Sequence, residues 1–169
     1  MAQLFSLGDF ASMTTDADIL ERVQQAFAGC RRPEHFGNFT HCEECAEADE
    51  LLRSRDVHTL CIGDVALPSS LMSYISPEGF AYFFPALVRL TLAEPDDFYG
   101  WYGSELFYCL RSDGRRNDRF LAFTPEQRRV VVEFLHHVAE TRARLADSEL
   151  CTDELFQAIE IWSDEIPVA

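Results

Sequence analysis

Residues 124–138, Thr124-Pro125-Glu126-Gln127-Arg128-Arg129-Val130-Val131-Val132-Glu133-Phe134-Leu135-His136-His137-Val138, decide the fold class. Thr124 and Gln127 form a capping box. Pro125 stands at the first helical position, where a missing N–H costs nothing, and Glu126 places negative charge beside unpaired amides. Val131, Phe134, Leu135, Val138 and Leu145 then recur at helical spacing, which predicts a long helix with one apolar face. The same logic recurs at Ser76-Pro77-Glu78, opening a helix expected to run to about Ala93 and to bury Phe80, Phe83, Phe84, Leu87 and Leu90. Pro85 in its middle removes one backbone bond and crowds the preceding turn, so it either kinks this helix or divides a short turn from a longer one.

Helical signals continue on both sides. Thr15 and Asp18 resemble a capping box opening a helix to about Ala28, with Ile19, Leu20, Val23, Ala26 and Phe27 on one side and Gly29 stopping it. Residues 30–41 read as an irregular crossing because Pro33, Gly37 and Asn38 favour turns. Cys42 to Arg53 has helical composition, and Asp56 to Ile62 fits a short helix capped by Asp56. Residues 63–75, with Gly63 and Pro68, fit a short helix or a short strand. Phe98 to Leu110 reads as a helix presenting Trp101, Leu106, Phe107 and Leu110, and Arg111 to Asn117 as a polar turn. A last helix, Thr152 to about Trp162, presents Leu155, Phe156, Ile159 and Trp162. The expectation is a mainly α, single compact helical domain over residues 1–169. Its core lies at about 15–162, with an irregular Cys/His-containing loop, at most a minor β element, and loose termini at 1–14 and 163–169.

The 169 residues are 47% hydrophobic, enough to fill one core without disulfides. The formal charge is -15, from 29 acidic residues against 14 basic ones, and every basic residue is Arg. Such a surface repels nucleic-acid phosphates and anionic lipid heads, and it selects a partner with a basic surface. The pairs Arg31/Arg32, Arg115/Arg116 and Arg128/Arg129 read as solvated helix faces. The N-terminus carries Asp9 and Asp16 where a secretory signal needs basic residues, and Phe80 to Leu92 is too short an apolar stretch to cross a bilayer. The 6 cysteines are too sparse for a disulfide scaffold, which fits a reducing cytoplasm.

Chemistry concentrates in Arg31-Arg32-Pro33-Glu34-His35-Phe36-Gly37-Asn38-Phe39-Thr40-His41-Cys42-Glu43-Glu44-Cys45. Zinc takes four soft or borderline ligands in a tetrahedron, and a Cys-x-x-Cys turn holds two sulfurs at a suitable separation. Cys42 and Cys45 provide that half, and His35 and His41 complete a Cys2His2 set. Cys30 is a substitute for one histidine, and His58 a more distant one. No second regular pair accompanies the first. Several competing assignments remain. The cysteines are ordinary small residues at a helix start and the histidines make local hydrogen bonds, or the dithiol is a redox centre, whose thiolate Glu43 and Glu44 would oppose. A metal-dependent hydrolase would use Asp49 or Glu50 as ligand or base, with Glu78 or His136 as distant candidates. No His-Glu-x-x-His motif supports it, and Asp49 and Glu50 otherwise form the solvated face of an acidic helix. His136 and His137 cannot both face the side of Phe134. Capping explains Ser76 better than nucleophilic chemistry does. Tyr99, Trp101, Tyr102, Tyr108 and Trp162 are core and core-rim packing or, alternatively, a binding groove.

The arrangement Arg32-Pro33-Glu34-His35-Phe36, then His41-Cys42-Glu43-Glu44-Cys45 with Asp49-Glu50, then Ser76-Pro77-Glu78-Gly79-Phe80-Ala81-Tyr82-Phe83-Phe84-Pro85-Ala86-Leu87 resembles a family of short, uncharacterised bacterial proteins of unknown function. The likeness spans most of residues 30–135, including Phe123-Thr124-Pro125-Glu126-Gln127-Arg128. It implies a single compact domain and brings no substrate or reaction with it. Members of the family often carry a histidine where Ala48 stands, so this chain must manage without whatever that side chain supplies. The expected role is a non-enzymatic cytoplasmic interaction or regulatory protein. Zinc on Cys42, Cys45, His35 and either His41 or Cys30 would hold the irregular crossing against the core. A metal-dependent hydrolase with one exchangeable coordination position is the rival, and a plain packed domain that binds nothing is the third case.

Overall fold

Side-chain caps set where helices begin, and the computed structural model, which describes residues 13–66 and 71–163, shows these caps in use. The helices are α1 Asp16–Phe27, α2 Glu43–Arg53, α3 Ile62–Val65, α4 Pro77–Leu92, α5 Gly103–Arg111, α6 Asp118–Ala122, α7 Pro125–Thr141, α8 Ala143–Ser148 and α9 Thr152–Ser163. Thr15 and Asp18 form the capping box of α1, Ser76 Oγ accepts from the Gly79 N–H at α4, and Thr124 pairs reciprocally with Gln127 at α7. Among the described residues there is no strand, and the β element is limited to isolated bridges, Gly37 with Ile75 and Asp96 with Gly100. No described helix is long and apolar enough to cross a membrane.

α1 packs against α4 and α7, and α9 against α5 and α7. The apolar stripes read from the sequence meet in an aromatic cluster. Phe27 of α1 stacks on Phe84 of α4 with ring centroids 4.7 Å apart, Phe84 meets Phe134 of α7 edge-on, and Phe123 bridges Phe27, Phe84 and Trp162 of α9. Both indole N–H groups are satisfied inside, Trp101 donating to the Thr91 carbonyl and Trp162 to that of Leu110, each at 2.8 Å. Trp101 folds over Gly103, where a Cβ would stand 2.5 Å from the indole, so α5 can start beneath this ring only with glycine there.

Several boundaries differ from the sequence expectation. α4 runs unbroken through Pro85, so the proline divides nothing; the carbonyl it frees belongs to half-buried Ala81. The helix expected over Asp56 to Ile62 does not form: residues 56–61 make a turn, and Ile62 instead opens α3. The Asp56 carboxylate accepts from the His58 and Thr59 N–H groups, closing one turn locally before α3 begins. Residues 71–73 form a 3-10 turn, while residues 67–70 lie outside the described residues, as do 1–12 and 164–169 of the termini 1–14 and 163–169 expected to be loose; Ser163 ends α9. α5 begins five residues late because Asp96 takes the N–H groups of Phe98 and Tyr99 into a turn. α6, capped by Asn117, was not marked by periodicity. The long helix opened by Thr124, expected to continue through Leu145, breaks at Arg142, whose guanidinium turns inward to Asp16 and the Leu92 carbonyl. Phe156 faces solvent.

Candidate metal centre

Phe36 fastens the crossing between α1 and α2. Its side chain is fully buried, its N–H donates to Asp49 Oδ1 at 2.6 Å and its carbonyl accepts from the Ser76 N–H at 2.6 Å. Gly79 makes room for it, since a Cβ there would lie 3.0 Å from the Phe36 ring. Arg32 adds hydrogen bonds to the Arg53 and Arg55 carbonyls and lies over the Phe36 and Tyr82 rings. Packing and hydrogen bonds therefore already order residues 32–37. A metal is left with residues 38–45 to secure, less than the sequence reading assigned to it.

Beyond the crossing, Cys42 adopts extended backbone and becomes the N-cap of α2, with its Sγ accepting from the Cys45 N–H at 3.4 Å. The two sulfurs lie 3.2 Å apart, and the His41 Nδ1 lies 3.7 Å from the Cys45 sulfur. Ligand atoms of His41, Cys42 and Cys45 all lie within 4.8 Å of one another, a group that could hold a metal ion. His41 and Cys42 are exposed and Cys45 half-buried, so the cluster opens to solvent. The Cys45 N–H, then the Cys45 thiol and His41, hold the Cys42 thiol below its ordinary range. The sulfur of Cys42 in turn raises that of Cys45. Two thiols beside an imidazole are a donor set for a borderline-soft cation.

His35 is held differently. Its Nδ1 lies 2.7 Å from Asp49 Oδ2, and its ring stacks on Phe39 with centroids 4.0 Å apart. Asp49 follows Cys45 by one turn on α2, yet it is buried, which corrects the solvated-face reading; Glu50 is exposed. Burial alone would push the Asp49 carboxyl up, but the His35 ring and the Phe36 N–H outweigh it and hold the group below the ordinary carboxylate range. Nothing in helix periodicity marked this residue, since its partners come from the crossing. Cys30 takes a hydrogen bond from Gln127, and His58 lines a cleft with Tyr82, Pro85 and Arg89. Glu78 and His136 are exposed, Ser76 is the α4 cap, and buried His137 pairs with Asp16 at 2.6 Å. Trp101, Tyr102 and Trp162 are buried and pack the interior, while Tyr99 is half-buried at its rim and Tyr108 is exposed.

Asp49 belongs to a set of carboxylates that tie the chain together. Arg142, against the opposing effect of burial and with help from His137, lowers Asp16; burial raises Asp64, but Arg55, which grips it with two bonds of 2.9 Å, and the Cys61 N–H and thiol together bring it below the ordinary range. A carboxyl whose folded value is depressed contributes stability above its unfolded value, and loses it as pH falls through the folded one. Thermal unfolding is therefore expected to be flat from neutrality down to about pH 5 and to fall steeply below about pH 4. Asp16→Asn should shrink that acid-side slope. An equal slope in this variant would contradict the assignment.

Residues 15–165 match the model of a family described as "Family of unknown function (DUF6714)". No curated protein and no solved structure matches the chain.

Proposed function

For a chain that belongs to the family of unknown function DUF6714, we propose a non-enzymatic role: an interaction or regulatory protein of the bacterial cytoplasm whose exposed turn at residues 41–45 binds one zinc ion. The observation that carries this reading is the convergence of His41, Cys42 and Cys45, with ligand atoms within 4.8 Å of one another. Two thiolates and an imidazole favour zinc over the harder magnesium and calcium. His35 completes the set in this proposal. Its Nδ1 is engaged by Asp49, which leaves Nε2 as the donor nitrogen and matches the carboxylate–histidine–metal pattern. Exposed Phe39 and Tyr74 border this region, Tyr74 sharing a small cleft with Cys45, Ala48 and Asp49. The charge of -15 suits a partner with a basic surface.

Protein purified without a metal-binding tag is expected to carry about one zinc per chain. Cys42→Ala and Cys45→Ala should carry almost none, and His35→Ala should bind roughly 10–100-fold more weakly. Because Phe36, Arg32 and Asp49 hold the crossing independently, chelation should leave helicity and cooperative unfolding largely intact. Metal-free wild type that also takes up no added zinc would overturn the reading. The count of three clustered ligands favours a second reading, a metal-dependent hydrolase with an open position. Cobalt substitution separates the two: a cobalt-bound water in wild type supports the hydrolase, and four protein donors support the closed site.

A further inference from the structure

We propose that Cys42 and Cys45 are a thiol–disulfide modification site, whose reversible oxidation expels the metal. Only the expulsion rests on the zinc reading. The two residues occupy the N-cap and third position of α2, one turn apart on a rigid element. Their sulfurs stand 3.2 Å apart, with Cys42 exposed and Cys45 half-buried. Two sulfurs on a tetrahedral zinc stand about 3.8 Å apart, and in a disulfide about 2 Å. The observed separation lies between the two states, so small side-chain rotations reach either.

The remaining cysteines differ. Cys109 and Cys151 are buried, Cys30 is half-buried against Gln127, and exposed Cys61 faces Asp64 at 3.2 Å. Oxidation would also spare the core, because the crossing is fastened at Phe36, five residues before His41. Losing the metal would free residues 38–45 without unfolding the domain.

The oxidant is a small-molecule disulfide. The Cys42 thiolate attacks one of its sulfurs; that S–S bond breaks, and the departing thiolate takes a proton from solvent. The Cys45 thiol gives its proton to solvent and attacks the Cys42 sulfur, expelling the second small thiol. One small disulfide is reduced to two thiols, and the protein dithiol is oxidised to a disulfide. A zinc ion held by the two thiolates loses both and dissociates. Exposed Glu43 and Glu44 should disfavour anionic oxidants, so neutral 2-hydroxyethyl disulfide is the suitable probe.

The full chain, metal-free and zinc-loaded, is treated with this probe under native conditions and followed by intact mass, peptide mapping and a chromogenic zinc chelator. The metal-free chain is expected to lose the mass of two hydrogens in the peptide holding Cys42 and Cys45, reversibly with excess thiol. Cys45→Ser should trap the probe as a mixed disulfide on Cys42. In the loaded chain, zinc release should keep step with loss of the two thiols and be roughly tenfold slower or more, because bound thiolates are poor nucleophiles. Stable adducts on both cysteines of the wild type, or a disulfide formed elsewhere, would overturn the proposal. A disulfide at this pair in a chain that takes up no zinc would support the couple and refute the metal alone. Bound zinc with no disulfide would do the reverse.

Discussion

Asp49→Ala is expected to lower stability by about 3 kcal/mol, because it leaves the buried Phe36 N–H without an acceptor and removes a charge-assisted bond to His35. The loss should show as a lower urea midpoint with little change in slope. Asp49→Asn separates scaffold from site. Its amide oxygen can still accept from Phe36, so the stability cost should fall to about 1 kcal/mol. Its NH2 group, facing the His35 Nδ1, would donate where the carboxylate accepts. The imidazole proton then moves to Nε2 and blocks the nitrogen proposed to meet the metal. Zinc affinity should therefore fall roughly 10–100-fold in Asp49→Asn despite near-normal stability. Unchanged affinity would remove His35 from the ligand set. An Asp49→Ala cost below about 0.5 kcal/mol would contradict the anchoring role.

Phe84→Ala is expected to cost about 3–5 kcal/mol, a large share of the 5–15 kcal/mol typical of such a domain. Phe84 is fully buried and meets Phe27, Phe80, Phe123 and Phe134, so its ring joins α1, α4 and α7 through a single contact group. Removing it opens a cavity that the close-packed helices around it relax into only in part. The melting temperature should fall by roughly 6–20 °C. Phe98→Ala, at an exposed ring, should change stability by less than about 0.5 kcal/mol. Zinc content per folded chain should be unaffected in both, since neither ring belongs to the crossing. Loss of metal in folded Phe84→Ala would show that the core and the cluster are coupled after all.

These two variants bear on how the chain divides its labour. α1, α4, α5, α7 and α9 form the packed body. The crossing hangs on α4 of that body through Phe36 against Phe83 and Gly79 and Arg32 over Tyr82, and its exposed end carries the thiols. A site mounted this way can gain or lose a ligand while the body stays folded, which suits a regulatory surface better than a metal that nucleates folding.

What was legible from residues alone follows from the range of the forces involved. Caps act over three residues and apolar stripes over a few turns. Thr15, Ser76 and Thr124 thus announced helix starts correctly, and the Cys-x-x-Cys spacing placed two sulfurs on one turn. The helical class and the pairing of the two sulfurs followed from these local rules, whereas His41, left interchangeable with Cys30 in the sequence, joins them only in the structure. The rest depended on partners distant in sequence. Asp49 is buried because Phe36 arrives from 13 residues away, and the same carboxylate takes the Nδ1 of His35. Arg142 ends α7 because Asp16, 126 residues earlier, and the Leu92 carbonyl draw its guanidinium inward. Trp101 is core because its N–H finds Thr91. The sequence by itself determined which segments coil and where the thiols meet. Only the tertiary structure decided which polar groups find their partners, because burying a charge or an N–H is tolerable only when another element supplies the matching atom.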